Sequence, residues 1–222
     1  MWEGQIPVLE QAGYEVVAPS LPGREPDADL SSWARRILEL LPGEFVPVGI
    51  SMGGYLTFEL WRQAPKRIPA LVLADTRANV DDEKARAARE ETIHTLRERG
   101  FDEFWESLEP KLCGHAAAEE VIARARSIAS EQPVESLVAT VEALRDRADS
   151  TSTLADIGVP TLVLVGEEDR TTTVRAARVL HEGISGSALT VIPAVGHMSF
   201  MEAPDAYLAA VRTFLRRVAR ES

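Results

Sequence analysis

Three side chains in this 222-residue chain could together make a nucleophile: the Ser51 hydroxyl, the His197 imidazole and the Asp169 carboxylate. A serine hydroxyl attacks poorly until a base takes its proton. The base in turn needs a third group to fix its tautomer and stabilise its charge. Ser51 lies in Gly49-Ile50-Ser51-Met52-Gly53-Gly54, a Gly-x-Ser-x-Gly pattern. Such a pattern sets the central residue on a sharp strand-to-helix turn and lifts its side chain clear. The flanking glycines leave room for close backbone approach. The helix that follows would point its first N–H groups at any oxyanion forming there. Asp169 follows Gly166-Glu167-Glu168, and His197 follows Gly196. Glu167 and Glu168 are rival acids; Asp169 is the one taken here. The alternatives to a nucleophilic site are a glycine-rich turn with a structural serine and a histidine on a surface loop.

Positioning these three requires an ordered set of strands. Phe45 to Ile50 reads as a strand leading into the serine, and Tyr55 to Gln63 as a helix leaving it and stopping before Pro65. Upstream, a short helix ends at Gly13, and Tyr14 to Pro19 reads as a β-branched strand. Leu21-Pro22-Gly23-Arg24 forms a turn cluster. Asp29 opens a helix through Trp33, Ile37, Leu40 and Leu41, closed by Pro42-Gly43. Downstream, Ala70 to Ala74, Pro160 to Val165 and Ala188 to Ile192 are short apolar strands, with helices over Thr173 to Leu180 and from about Pro204 onwards. Strand and helix alternate, so the fold class is α/β, a mostly parallel sheet with helices on both faces. Ser51, Asp169 and His197 each follow a strand, at the ends where open parallel sheets bind ligands.

Between Asp81 and Asp149 no strand is legible. Four helical segments follow one another, the second with Phe101, Phe104, Trp105 and Leu108 at i, i+3, i+4, i+7. This is an all-helical cap insertion, expected to roof the site with Phe104, Trp105 or Leu108 near the substrate. The stripe also suits simple packing. The chain divides into core residues 1–77, cap residues 78–150 and core residues 151–222.

Composition excludes several classes. No apolar run reaches membrane-spanning length, and no signal segment is legible at the start. A formal charge of −11 argues against nucleic-acid and anionic-membrane partners. The lone cysteine, Cys113, excludes an internal disulfide framework and reads as a buried or half-buried thiol. The four histidines are scattered, so no metal site is expected.

The chain resembles the α/β-hydrolase superfamily. The matching pieces are Ala18-Pro19-Ser20-Leu21-Pro22-Gly23, the Gly49–Gly54 stretch, Val165-Gly166-Glu167-Glu168-Asp169 and Ile192-Pro193-Ala194-Val195-Gly196-His197. Their order, serine then acid then histidine, is that of the α/β-hydrolase fold. Leu73-Ala74-Asp75-Thr76-Arg77-Ala78 and the helical insert resemble the branch of 3-oxoadipate enol-lactonases and small carboxylesterases. The resemblance implies Ser51 as nucleophile, His197 as general base, Asp169 as its orienter and the Met52 backbone N–H as an oxyanion donor. It also implies a departure. Such proteins carry a central strand and a His-Gly-type loop before the first helix, and the sequence given starts at Met1-Trp2 beyond them. The usual acidic residue before Leu-Pro-Gly is Ser20.

The expectation is a cytoplasmic, cofactor-independent serine hydrolase acting on a small carboxylic ester or lactone through an acyl-enzyme. Thioesterase, C–C hydrolase and cofactor-free haloperoxidase chemistry would use the same three residues. From another class, a hydrolase-like binding protein or pseudoenzyme with an incomplete oxyanion hole fits the same sequence. Serine rather than aspartate at residue 51 argues against dehalogenase and epoxide hydrolase chemistry.

Overall fold

The computed structural model describes residues 1–20 and 29–221. Among these, four parallel strands form one sheet in the order β1-β2-β3-β4: β1 (Val48–Ile50), β2 (Leu71–Ala74), β3 (Thr161–Gly166) and β4 (Ala188–Ile192). Val48 pairs with Val72, Leu71 with Thr161 and Leu162 with Ala188. Every residue of β2 and β3 is buried, as a strand covered on both faces requires.

Side-chain alternation sends each strand into two cores. On one face Leu71, Leu73, Val163 and Val165 pack against α2 (Leu30–Leu40), α3 (Met52–Gln63) and α8 (Val174–Gly183), chiefly through Trp33, Ile37, Phe58, Trp61 and Leu180. On the other, Val72, Ala74, Leu162 and Leu164 pack against Tyr207, Val211, Phe214 and Leu215 of α10 (Pro204–Glu221), with α1 (Ile6–Gln11) alongside through Leu9. Each valine, leucine, isoleucine or phenylalanine fully buried among them stabilises the fold by about 1.5–3 kcal/mol. The α2 start is capped as the sequence suggests: the Asp29 carboxylate accepts the Ser32 N–H at 2.7 Å, and the Ser32 hydroxyl accepts the Asp29 N–H at 3.1 Å.

Two strand expectations change. Tyr14 to Pro19 forms no strand, and Val17 is exposed. A β-branched run becomes a strand only where a neighbour completes its ladder. The described β1 pairs only with β2, and no described strand lies beside Tyr14 to Pro19. Phe45 to Ile50 shortens to Val48–Ile50: the Phe45 N–H donates to the Arg67 carbonyl, and regular pairing begins only after Pro47. The expected turn at Leu21 to Arg24 lies outside the described residues.

The insert between β2 and β3 is helical: α4 (Glu83–Glu98), α5 (Phe101–Leu112), α6 (Glu119–Ser130) and α7 (Val134–Arg145). Ile93, Leu96, Phe104, Val138 and Val141 form a small core of its own. Its two ends meet. The Ser150 N–H donates to the Ala78 carbonyl at 3.0 Å, and Arg147 bonds both the Asn79 carbonyl and the buried Asp81 carboxylate at 2.8 Å. Arg89 and Arg77 also pair with Asp81. Burial pushes the Asp81 carboxyl up, but the arginines outweigh it and hold it at about 2.

Candidate active site

The turn after β1 carries Ser51. Its φ of 51° with ψ of −113° lies where a residue with a Cβ is strained, at a cost of about 1–3 kcal/mol. Three things hold it there. The Ser51 N–H donates to the Ala74 carbonyl at 2.9 Å, extending the β1–β2 ladder. The Thr76 hydroxyl donates to the Ser51 carbonyl at 2.9 Å. A Cβ on Gly49 would stand 2.2 Å from the Gly53 carbonyl oxygen, so only glycine lets β1 and α3 approach this closely. The second essential glycine is Gly54, where a Cβ would strike the Thr76 side chain at 2.4 Å; Gly53 faces open space. Spacing alone does not distinguish Gly53 from Gly54, because the requirement comes from Thr76, on the loop that follows the neighbouring strand β2. Met52 is the first residue of α3, so its N–H finds no acceptor within the helix and stands beside the serine.

Asp169 and His197 arrive on the loops after β3 and β4, at the same edge of the sheet. The Ser51 Oγ lies 2.9 Å from His197 Nε2, and His197 Nδ1 lies 2.8 Å from Asp169 Oδ2. The three residues named from sequence therefore form one hydrogen-bonded relay. Asp169 is fixed further by the Thr171 and Thr172 N–H groups, at 2.7 and 2.8 Å on Oδ1, and by the Thr172 hydroxyl at 2.7 Å on Oδ2. The rival acids point elsewhere: Glu167 accepts the Ala194 N–H, and Glu168 accepts the backbone of His115. Burial pushes the Asp169 carboxyl up, yet its bond to His197, the histidine charge and the Thr172 donors hold it below the ordinary carboxylate range. Burial pulls the His197 imidazole down, but Asp169, then Asp75 and Glu202, raise it above its ordinary value. Both shifts favour a neighbouring carboxylate–imidazolium pair.

The histidine loop is held by a residue the sequence did not single out. Glu202 ends α9 (Ser199–Glu202), and its carboxylate accepts the N–H groups of Gly196 at 3.0 Å and Met198 at 3.1 Å, on either side of His197. The same oxygen that takes Gly196 accepts the Gly114 N–H of the α5–α6 connector at 2.7 Å. The His197 N–H itself donates to the Leu112 carbonyl at 2.8 Å, and a Cβ on Gly196 would stand 2.3 Å from the Gly114 nitrogen. The insert thus docks on the site edge of the sheet, against the loops bearing Asp169 and His197. Cys113 is half-buried in this connector, and burial, with Glu202 and Glu109 nearby, pushes its thiol up to about 11. Of the three residues expected near substrate, Phe104 and Leu108 pack in the insert's own core, and Trp105 is buried with its indole N–H on Glu109. Among the described residues no group of three metal-ligating side chains converges, and no helix is long and apolar enough to cross a membrane.

Residues 1–210 match the model of a family described as the alpha/beta hydrolase family. The 3-oxoadipate enol-lactonase 2 of Acinetobacter baylyi is 30% identical over 172 residues, 76% of this chain and 62% of the lactonase. The chain thus spans less than two thirds of that relative. A pimeloyl-[acyl-carrier protein] methyl ester esterase of Pectobacterium carotovorum is 28% identical over 83% of this chain and 75% of its own length. Among solved structures, a thermophilic esterase of Thermogutta terrifontis superposes with a TM-score of 0.80 at 32% identity, over 91% of this chain and 75% of the esterase.

Proposed function

The chain belongs to the alpha/beta hydrolase family, and from that premise we propose that it is a serine hydrolase of carboxylic esters or lactones. The observation that carries this reading is the unbroken relay from Ser51 Oγ through His197 to Asp169, with spacings of 2.9 and 2.8 Å, on a strained strand-to-helix turn. The named relatives, an enol-lactonase, a methyl ester esterase and an esterase, have the carboxylic ester bond in common.

Ser51 Oγ bonds to the carbonyl carbon as its proton passes to His197 Nε2. The carbonyl oxygen becomes an oxyanion, and the Met52 N–H donates to it. Asp169 stabilises the imidazolium and keeps Nδ1 protonated. Collapse breaks the carbon–oxygen ester bond, and the leaving oxygen takes the proton from His197. Water then attacks the acyl-Ser51 ester and gives a proton to His197, which returns it to Ser51 as the acid departs. The insert serves as a cap, with Phe104, Trp105 and Leu108 of α5 bordering the acyl site. Its support is that α5 runs directly into the connector seated on His197. The protein acts in the cytoplasm without a cofactor.

The test is labelling by a fluorophosphonate probe, with mass spectrometry of the adduct, beside a panel of p-nitrophenyl esters and lactones. Labelling at Ser51, lost together with turnover in Ser51→Ala, is the expected result. A protein that neither labels nor turns over any ester is a binding protein, and the reading fails.

A further inference from the structure

Asp75 has no part in the chemistry above, yet it is wholly buried at the centre of the site. It is the first residue beyond β2, with its N–H on the Leu164 carbonyl at 2.8 Å and a φ of 43°. That strained backbone aims the carboxylate between the two loops that matter. Oδ1 accepts the Gly166 N–H at 2.9 Å, and Oδ2 accepts the Ser199 hydroxyl in a short bond. Gly166 ends β3, directly before the loop bearing Asp169, and Ser199 stands two residues beyond His197. One carboxylate therefore ties the base loop to the acid loop.

Holding those two loops does not require a charge. An asparagine amide could accept from Gly166 and donate to Ser199, without the desolvation cost that burying a carboxylate entails. The charge needs its own reason, and the charged and titratable groups facing it supply one: His197 from the β4 loop, Asp169 from the β3 loop and Tyr207 from α10. His197 is the cation among them when it holds a proton. Burial pushes the Asp75 carboxyl up to about 7 against the pull of His197, Ser199 and Gly166, so the charge is present from about neutral pH upwards, where His197 works as a base. The Tyr207 hydroxyl is buried and has no hydrogen-bond partner among the described residues.

We propose that Asp75 is a positioning residue of this site: it locks the Asp169 and His197 loops in register, and its negative charge offsets that of the imidazolium formed in turnover. The proposal rests on the serine-hydrolase reading, and the experiment separates the two. Fluorophosphonate labelling of the wild type comes first; no label and no turnover defeat the hydrolase reading and the proposal with it. If the wild type labels, Asp75→Asn is compared over pH 5–9 with p-nitrophenyl acetate. The amide retains both ties and removes the charge. The expected result is kcat lower by about tenfold, KM within about twofold, and an acid limb of kcat/KM displaced about one unit to lower pH. A loss of packing alone would lower kcat without moving the limb. Wild-type kcat and an unmoved limb overturn the proposal while leaving the hydrolase reading intact, as does a lowered kcat with an unmoved limb. If Asp75→Asn does not fold, Ser199→Ala removes one tie and keeps the charge. In a protein with wild-type near-ultraviolet circular dichroism, kcat about fivefold lower supports the proposal and wild-type kcat overturns it.

Discussion

Glu202→Gln tests whether one carboxylate couples the insert to the histidine loop. Glutamate presents two acceptor oxygens: one takes Gly114 and Gly196, the other Met198. Glutamine keeps one acceptor. Its best placement retains the Gly114 and Gly196 bonds and turns the amide N–H2 toward the Met198 N–H, donor against donor. One charge-assisted bond is lost and two become neutral. Hydrogen bonds to charged groups contribute about 1.5–3 kcal/mol each, neutral ones about half that. Glu202 is only half-buried, so water reaches part of the gap, and the expected net cost is about 2–3 kcal/mol. For a chain of this size that lowers Tm by roughly 4–12 °C. Both N–H groups beside His197 are affected, so the imidazole loses its fixed approach to Ser51. A misplacement of about 1 Å can reduce a rate by roughly 10²-fold, and kcat for a p-nitrophenyl ester should fall at least tenfold with KM little changed. Urea unfolding gives the stability, thermal scanning gives Tm, and limited proteolysis reports whether the Leu112–His115 connector opens. A Tm within 1 °C of wild type together with unchanged kcat would refute the coupling.

Other outcomes follow from the same geometry. His197 must be neutral to act as base, and its pKa is raised, so kcat/KM should fall on the acid side at a pH above the ordinary imidazole value of about 6.5. Asp169→Asn should move that limb to lower pH and reduce kcat by roughly 10⁴; a pH-rate profile checks both. The Asp81 carboxyl is depressed to about 2, so its stabilisation is fully present above an unfolded value of about 3.9 and is lost as pH falls through 2. Urea unfolding should show about 2–3 kcal/mol disappearing between pH 5 and pH 1 in the wild type, and not in Asp81→Asn. Gly49→Ala should abolish folding or activity, because its Cβ meets backbone at 2.2 Å. Gly53→Ala, with open space and helical backbone, should fold and gain about 0.4–1 kcal/mol by thermal scanning.

Much of the candidate site is legible in the sequence because local chemistry specifies it. A Gly-x-Ser-x-Gly stretch between an apolar run and a helix places its serine on a strand-to-helix turn, where Gly49 is needed for close approach, and Asp169 and His197 stand out by following strands. Helix boundaries read well where a side chain caps them, as Asp29 does, or a proline ends them, as Pro65 does. Strand existence read less well. Val16 and Val17 suit a strand as much as Val163 does, but a ladder needs a neighbour, and neighbours are set by the whole sheet.

The sequence by itself determined the class of fold, the order of the elements, and the serine, the histidine and the run of candidate acids for the relay. The tertiary structure decided what holds them. Asp75 in the sequence is one aspartate after a strand; only the meeting of β2 with the loops after β3 and β4 puts its carboxylate against Gly166 and Ser199. Glu202 reads as a polar residue near a helix start, and gains its part from N–H groups at residues 114, 196 and 198. That Glu168 serves His115 and not His197 was equally open, since adjacent acids differ only in the direction their loop gives them. Periodicity records which side of an element is buried. It carries no record of the distant donors that a buried carboxylate will meet, because those are brought together by chain segments up to 124 residues apart, as from Asp75 to the Ser199 hydroxyl.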